Sequence, residues 1–402
     1  MIRRILPSIG LAALVAFVAT ASVSGQAQGQ GTIAATAQAL VITAHNGAPV
    51  PPNWAMPKTP WGEPDLQGVW SSDDASFGIS RGGGRGGGPA PTGLYLNDEQ
   101  YAARVKQIQQ GVVNAEQNAT SSFRSDFARR AFRQTSYIVD PATGIQPQPL
   151  PEARKRARGG DRGTFGDGPF HTFDDFTNYD RCISRGIWGS IARVVYGNGN
   201  RIVQAPGVVA LTYEMIHETR VIYTDGRPHI NNGIRQYMGN SRGWWEGDTL
   251  VVETTNLTDQ TSIGLNGNGL RHSDTMTMVE KIRRVADDIV QYQLTVNDPV
   301  TYPTPFTMSI PLTPLDGGVI LPYECHEGNQ AVRNSLAAER TEDRALVEDA
   351  TRGIIRPRRL AQEGQGRGAG GGRNGAPVAA GGAGRGGGRG GNQPPPEGDI
   401  DR

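Results

Sequence analysis

Between residues 201 and 312, short runs of alternating apolar and polar residues follow one another, each closed by a turn signal, and this rhythm leaves few folds open. The runs fall at 201–204, 208–215, 220–223, 250–254, 275–285, 289–296 and 306–312. Pro206-Gly207, Asp225-Gly226, Glu246-Gly247-Asp248 and Asp287-Asp288 punctuate them. A period of two places successive side chains on opposite faces, so each run turns one face to a core and one to solvent. Strands this short and closely spaced predict an antiparallel meander, and a long meander curls to hide its edges. The expected fold is mainly β (α+β): a barrel or strongly curved sheet, preceded by a helical segment. That helix covers 96–117, where Asn97 caps it, Asp98 and Glu99 suit its first turn, and Tyr101, Val105, Ile108 and Val112 share a face. Shorter helices are expected at 123–132 and 335–347.

Not all of the 402 residues belong to that fold, because Gly 55 and Pro 27 concentrate in a few stretches. Residues 28–60 read as a linker rich in Ala, Gln, Gly and Pro, and 61–360 as a single β-rich domain. Flexible inserts interrupt it near 79–92, which is Gly- and Arg-rich, and near 141–168, where the basic run at 152–158 reads as a solvated face. From 361 to 402 the chain is Gly, Arg and Pro with few apolar residues, the composition of a disordered tail. A net charge of +1 gives no support to nucleic acid as a partner.

Residues 1–27 carry the pattern of a signal peptide: Arg3 and Arg4, an apolar run over 5–18, then small residues suited to cleavage. A periplasmic or secreted location follows, and no later segment is apolar enough to span a bilayer. An oxidising compartment favours a disulfide between Cys182 and Cys325 over a reactive thiol at Cys325 beside His326.

Chemistry-bearing residues crowd into 213–256. His217 and His229, with Glu218 and Arg235, are the candidates for acid–base and charge-stabilising roles. Arg220, Arg227 and Arg242 offer forks for a carboxylate or phosphate, or else pair with neighbouring acids. Trp244 and Trp245, being adjacent in a strand, point to opposite faces, one of them a possible wall for an apolar ligand. His326 and Glu327 follow the last strand, and bridging Cys325 would fix them as a rim beside the 217–242 segment. No compact metal-ligand spacing occurs, so neither a metal nor any other cofactor is expected.

The stretches PWGEPDLQGVW, YDRCISRG, RIVQAPGVVALTYEMIHETRVI, DGRPH, SRGWWEGDTLVVETTN and YECHEGN resemble a large family of exported bacterial proteins of unknown function. The likeness covers most of 60–340 and implies export without implying an activity. The strand-rich middle is also similar, at the level of fold, to lipocalin-like barrels. Together these readings lead to an expected binder of a small, partly apolar and anionic molecule in a Trp/His/Arg-lined pocket. Two alternatives stand beside it: a periplasmic hydrolase or lyase using His217 or His229, and an envelope interaction protein. Oligomeric state is left open.

Overall fold

The structure, a computed structural model, describes residues 44–45, 48–49, 54–78, 93–117, 128–156, 168–194, 196–267 and 269–358. The expected leader, the insert at 79–92 and the tail at 361–402 lie outside these residues, as does most of the expected linker. In chain order the elements are β1 (Gly68–Ser71), α1 (Asp98–Gln117), β2 (Ile138–Asp140), α2 (Pro151–Lys155), α3 (Gly186–Ile191), β3 (Gly199–Ala205), β4 (Val208–Tyr213), β5 (Thr219–Tyr223), β6 (Asn240–Glu246), β7 (Thr249–Thr255), β8 (Thr277–Ala286), β9 (Ile289–Asn297), β10 (Phe306–Pro314) and α4 (Gln330–Thr351).

The expected barrel forms. Its strands run in the order β9–β8–β7–β6–β5–β4–β3–β1–β10, and β10 pairs back with β9 to close the ring. From β3 to β9 the chain is a meander with one exception. The connection over 224–239 carries the chain back along β5, so β5 and β6 meet in parallel, with Tyr223 opposite Arg242. Every other junction of the ring is antiparallel. The β6–β7 hairpin turns on Gly247, whose φ of 60° suits a residue without a Cβ. β2 lies along the same edge of β10 as β1, near the start of the strand.

Alternation decides which side chains fill the barrel. On β4, Val209, Leu211 and Tyr213 point in; on β7, Leu250 and Val252; on β8, Met278, Glu280 and Ile282. They meet Tyr292, Leu294 and Val296 of β9 and Phe306, Met308, Ile310 and Leu312 of β10. Each large side chain buried in this way contributes roughly 1.5–3 kcal/mol. β9 and β10 are buried on both faces, because the segment 131–140 covers them outside: Gln134 Nε2 donates to the carbonyl oxygens of Ser136 and Ser309 at 2.6 and 2.8 Å.

Three local expectations change. Residues 128–132 are not helical, so the part of the expected 123–132 helix that is described does not form. Within the expected exposed stretch 141–168, Pro151 at the first helical position starts α2, and Ala153 is fully buried. The last helix is longer than expected, 22 residues, with Val332 and Leu336 packed on Phe170 and Phe176.

One histidine not singled out from sequence, His272, is almost fully buried beside Asp298-bound Ser273. Its Nδ1 lies 2.8 Å from the Ser273 carbonyl oxygen and its Nε2 2.6 Å from Thr261 Oγ1. The neutral ring fits, with Nδ1–H donating and Nε2 accepting the hydroxyl proton. Burial lowers its pKa below the ordinary 6.5. The unfolded chain therefore binds the proton first. Stability from this group is complete above about pH 6.5 and is lost as pH falls towards the depressed folded value, by up to about 1 kcal/mol per unit. Urea unfolding at about pH 7.5 and about pH 5.5 should show this loss in the wild type, and a smaller one in His272→Gln. Equal losses in both proteins would refute the assignment.

Candidate functional site

The arginines of the 213–256 stretch divide between the inside and the outside of the barrel. Alternation along β5 turns Arg220 and Ile222 inward and Thr219, Val221 and Tyr223 outward. Inside, Arg220 forms a two-pronged pair with Glu280, at 2.6 Å on both prongs, and the Tyr292 hydroxyl donates to Glu280 at 2.5 Å. The pair spans the interior, since β6 and β7 stand between the strands that carry it. Burial alone would lower the Arg220 pKa, but the adjoining Glu280 carboxylate outweighs it and raises it. Burial raises those of Tyr213 and Tyr292. This is not one of the surface pairs weighed from sequence.

Outside, Arg227 and Arg242 lie over the Tyr223 ring, at 3.8 and 5.5 Å from its centre. Arg227 is forked onto Asp225, and Arg242 Nε donates to the Pro228 carbonyl at 2.8 Å. His229 belongs to the same outer face: its Nδ1 is 3.1 Å from Asn240 Oδ1 and its Nε2 3.2 Å from Glu253 Oε2. Arg235 is exposed and tied to Asp274 through the side chain and the backbone carbonyl. Trp244 is on the surface, 41% exposed, donating to Glu246 at 3.0 Å, while Trp245 turns in against the core. The two tryptophans do face opposite ways, as alternation requires.

His217 bonds to the Tyr323 backbone and His229 to Asn240 and Glu253, so hydrogen bonding does not bring the two imidazoles together. The turn before β5 sets His217 in place. Ile216 and His217 both adopt left-handed backbone, φ 66° and 55°, a conformation costing each non-glycine residue on the order of 1–3 kcal/mol. Packing and hydrogen bonds around the turn offset this: Tyr213 N–H donates to Glu218 O at 3.0 Å and Glu214 N–H to Gly199 O at 2.9 Å. The His217 ring then lies against the backbone of Tyr323, Nδ1 3.1 Å from its carbonyl oxygen and Nε2 3.0 Å from its amide nitrogen. It clips the segment that follows β10 onto the barrel end.

That segment is a strap. Leu321 N–H donates to Glu214 at one side, and at the other Cys325 is bonded to Cys182, with Cα atoms 5.7 Å apart. Asn329 Nδ2 adds hydrogen bonds to Asp180 O at 2.9 Å and to Cys182 Sγ at 3.5 Å. The expected disulfide is present. His326 and Glu327 sit on the strap but are exposed, turned away from what it covers.

Beneath the strap lies Arg185, 1% exposed, and its Nε and both terminal nitrogens have no hydrogen-bond partner. Phenols surround it. The guanidinium carbon is 5.7 Å from the centre of the Tyr179 ring, and the Tyr179 and Tyr323 hydroxyls are 3.3 Å apart. Tyr196, 43% exposed, is the third phenol within electrostatic reach. Burial, set against the neighbouring tyrosines, leaves the Arg185 pKa lowered to about 10. It therefore remains a cation at neutral pH. Burial raises the Tyr179 pKa, and so does its bond to Tyr323, which keeps both phenols protonated there. Beside it Ser184 Oγ donates to Glu218 at 2.7 Å, and burial raises the Glu218 pKa against the Ser184 bond and Arg220.

Local sequence explains why the charge is trapped. Arg185 opens α3, every residue of which is buried. Gly267, at φ 67°, brings its loop so close that a Cβ there would meet the Arg185 carbonyl oxygen at 2.4 Å. The backbone is clamped, and the side chain is buried with it. Of the residues expected at a site, the structure brings together His217, Glu218, Cys182 and Cys325 around this cluster, and leaves Arg220, Arg227, His229, Arg235, Arg242, Trp244, Trp245, His326 and Glu327 elsewhere. Arg185, Tyr179, Tyr196 and Tyr323 were not singled out. The signal was an arginine inside an apolar run, Cys182-Ile183-Ser184-Arg185-Gly186-Ile187-Trp188, just after a bridged cysteine. Among the described residues no three His, Cys, Asp or Glu side chains converge as metal ligands, and no helix is long and apolar enough to cross a membrane. No protein-family model matches the chain, and neither a curated protein nor a solved structure matches it.

Proposed function

We propose that this is an exported small-molecule-binding barrel whose ligand is an anion held by Arg185 beneath the Tyr323–Cys325 strap. One observation carries the reading: a guanidinium removed from water with all three nitrogens unpaired. Buried charges are normally paired, because desolvation costs several kcal/mol for each ion. Arg220, which is also buried, obeys that rule through Glu280. An anion that enters the Arg185 site supplies the missing partner. The strained His217 turn and the disulfide keep the strap in place and exclude water, which strengthens every charge interaction inside. Phenols and an apolar α3 make the surroundings suit a ligand that is otherwise apolar.

The reading has a consequence for stability that a purely structural arginine would not share. Arg185→Met keeps the bulk and removes the uncompensated charge, so the ligand-free variant should be more stable by about 1–3 kcal/mol in urea unfolding. Thermal unfolding in the presence of acetate, benzoate, sulfate or phosphate should show at least one anion stabilising the wild type and none stabilising the variant. A destabilised Arg185→Met protein, together with no response of the wild type to any anion, would overturn the proposal.

A further inference from the structure

The same site is selective among anions, and this step rests on the Arg185 reading. We infer that its ligand is a monoanionic carboxylate rather than a phosphate or sulfate.

Charge is the first reason. The groups that act on Arg185 electrostatically are Tyr179, Tyr323 and Tyr196, and none is a cation. A carboxylate would neutralise the guanidinium one for one. A dianion would leave a negative charge with no counter-ion in a site closed from water, the situation that makes buried ions costly.

Geometry is the second. Because Nε is unpaired along with both terminal nitrogens, an entire N–H edge of the planar guanidinium is without a partner. Two parallel N–H donors along such an edge match the two oxygens of a carboxylate. The guanidinium carbon lies over the Tyr179 ring at 5.7 Å, and a carboxylate would meet the fork in its own plane.

Donor number is the third. Tyr179, Tyr323 and Tyr196 have three hydroxyl protons, and the bonds of Tyr323 to the other two use two of them. The proton left over serves one further acceptor, which matches a lone pair of a carboxylate oxygen left exposed by the fork. A tetrahedral anion has additional oxygens, for which no further phenol proton remains. The part of the ligand beyond the carboxylate would pass by Tyr196, the phenol that reaches the surface.

The test uses the full chain and defined probes. Calorimetric titration with benzoate and acetate is compared with sulfate and inorganic phosphate at neutral pH. A carboxylate should bind at least about tenfold more tightly than either tetrahedral anion. Arg185→Lys keeps the charge but loses the fork, and should weaken the carboxylate by about tenfold or more. Arg185→Met should abolish binding. If phosphate or sulfate binds as tightly as the carboxylates and Arg185→Met abolishes it, the anion site stands and the carboxylate assignment falls. If Arg185→Lys binds benzoate as well as the wild type, the fork argument falls. If no probe binds, or binding survives Arg185→Met, both this inference and the reading beneath it fail.

Discussion

Replacing Glu280 with glutamine should cost about 3–5 kcal/mol of folding stability, one of the largest losses expected from any single side chain of the barrel. The change is nearly isosteric, so no cavity opens. What it removes is the negative charge facing Arg220, which is 4% exposed and paired at 2.6 Å on both prongs. Left alone, the guanidinium has no route to water, because the interior around it is filled by Tyr213, Ile222, Tyr292 and the surrounding strands. Even Gly243, the inward position of an intervening strand, lacks space: a Cβ there would come within 2.9 Å of Ile222. The companion experiment removes the whole network. A triple variant, Arg220→Met, Glu280→Leu and Tyr292→Phe, should regain most of the lost stability, since buried pairs are costly to break but cheap to replace by apolar residues of similar volume. Urea unfolding with unchanged slopes would measure both effects. A loss below about 1 kcal/mol in Glu280→Gln would mean that water reaches the pair and that the interior is not dry.

This network also marks how far sequence reading reaches. The barrel was legible because a period of two is a local signal, repeated seven times with turns between, and the ends of runs such as 289–296 and 306–312 fell close to those of β9 and β10. The disulfide was legible from compartment chemistry. The site was not, and the reason is topological. Sequence proximity put Arg220, Arg227, His229 and Arg242 in one group, but a strand alternates faces and a hairpin separates its two ends. Arg220 went inside, Arg227 and His229 outside, and His217 to the far end of β5. The parallel β5–β6 junction, with its long return over 224–239, added a further displacement that no local pattern encodes. Conversely, Tyr179 and Tyr323 are 144 residues apart and meet only because the barrel closes beneath them. Arg185 looked like an ordinary arginine until its neighbours were known to be buried. Its lack of a partner is a property of three dimensions alone.

Removing the Cys182–Cys325 bridge should be of comparable size and should act on the two levels separately. The cysteines are 143 residues apart, and closing a loop of that length restricts the unfolded chain by about 5 kcal/mol in the chain-entropy estimate. Cys182→Ser with Cys325→Ser should therefore lower the unfolding free energy by about 4–5 kcal/mol, and reducing agent should then have no further effect. The second level is local. With the bridge gone, the strap is still held by Leu321 on Glu214, by His217 on the Tyr323 backbone and by Asn329 on Asp180. These are ordinary hydrogen bonds, each worth only about 1 kcal/mol. The strap should therefore open far below the cost of global unfolding, exposing the Tyr179, Tyr323 and Arg185 cluster to water. Hydrogen exchange would read this directly, as early exchange of the amides over 321–329 while those of β8 and β9 stay protected. Adding His217→Ala to the cysteine variant should accelerate that local exchange without shifting global stability by more than about 1 kcal/mol. If the strap instead remains as protected as the barrel after both changes, it is packed as part of the core, and a ligand would have to reach Arg185 by another way.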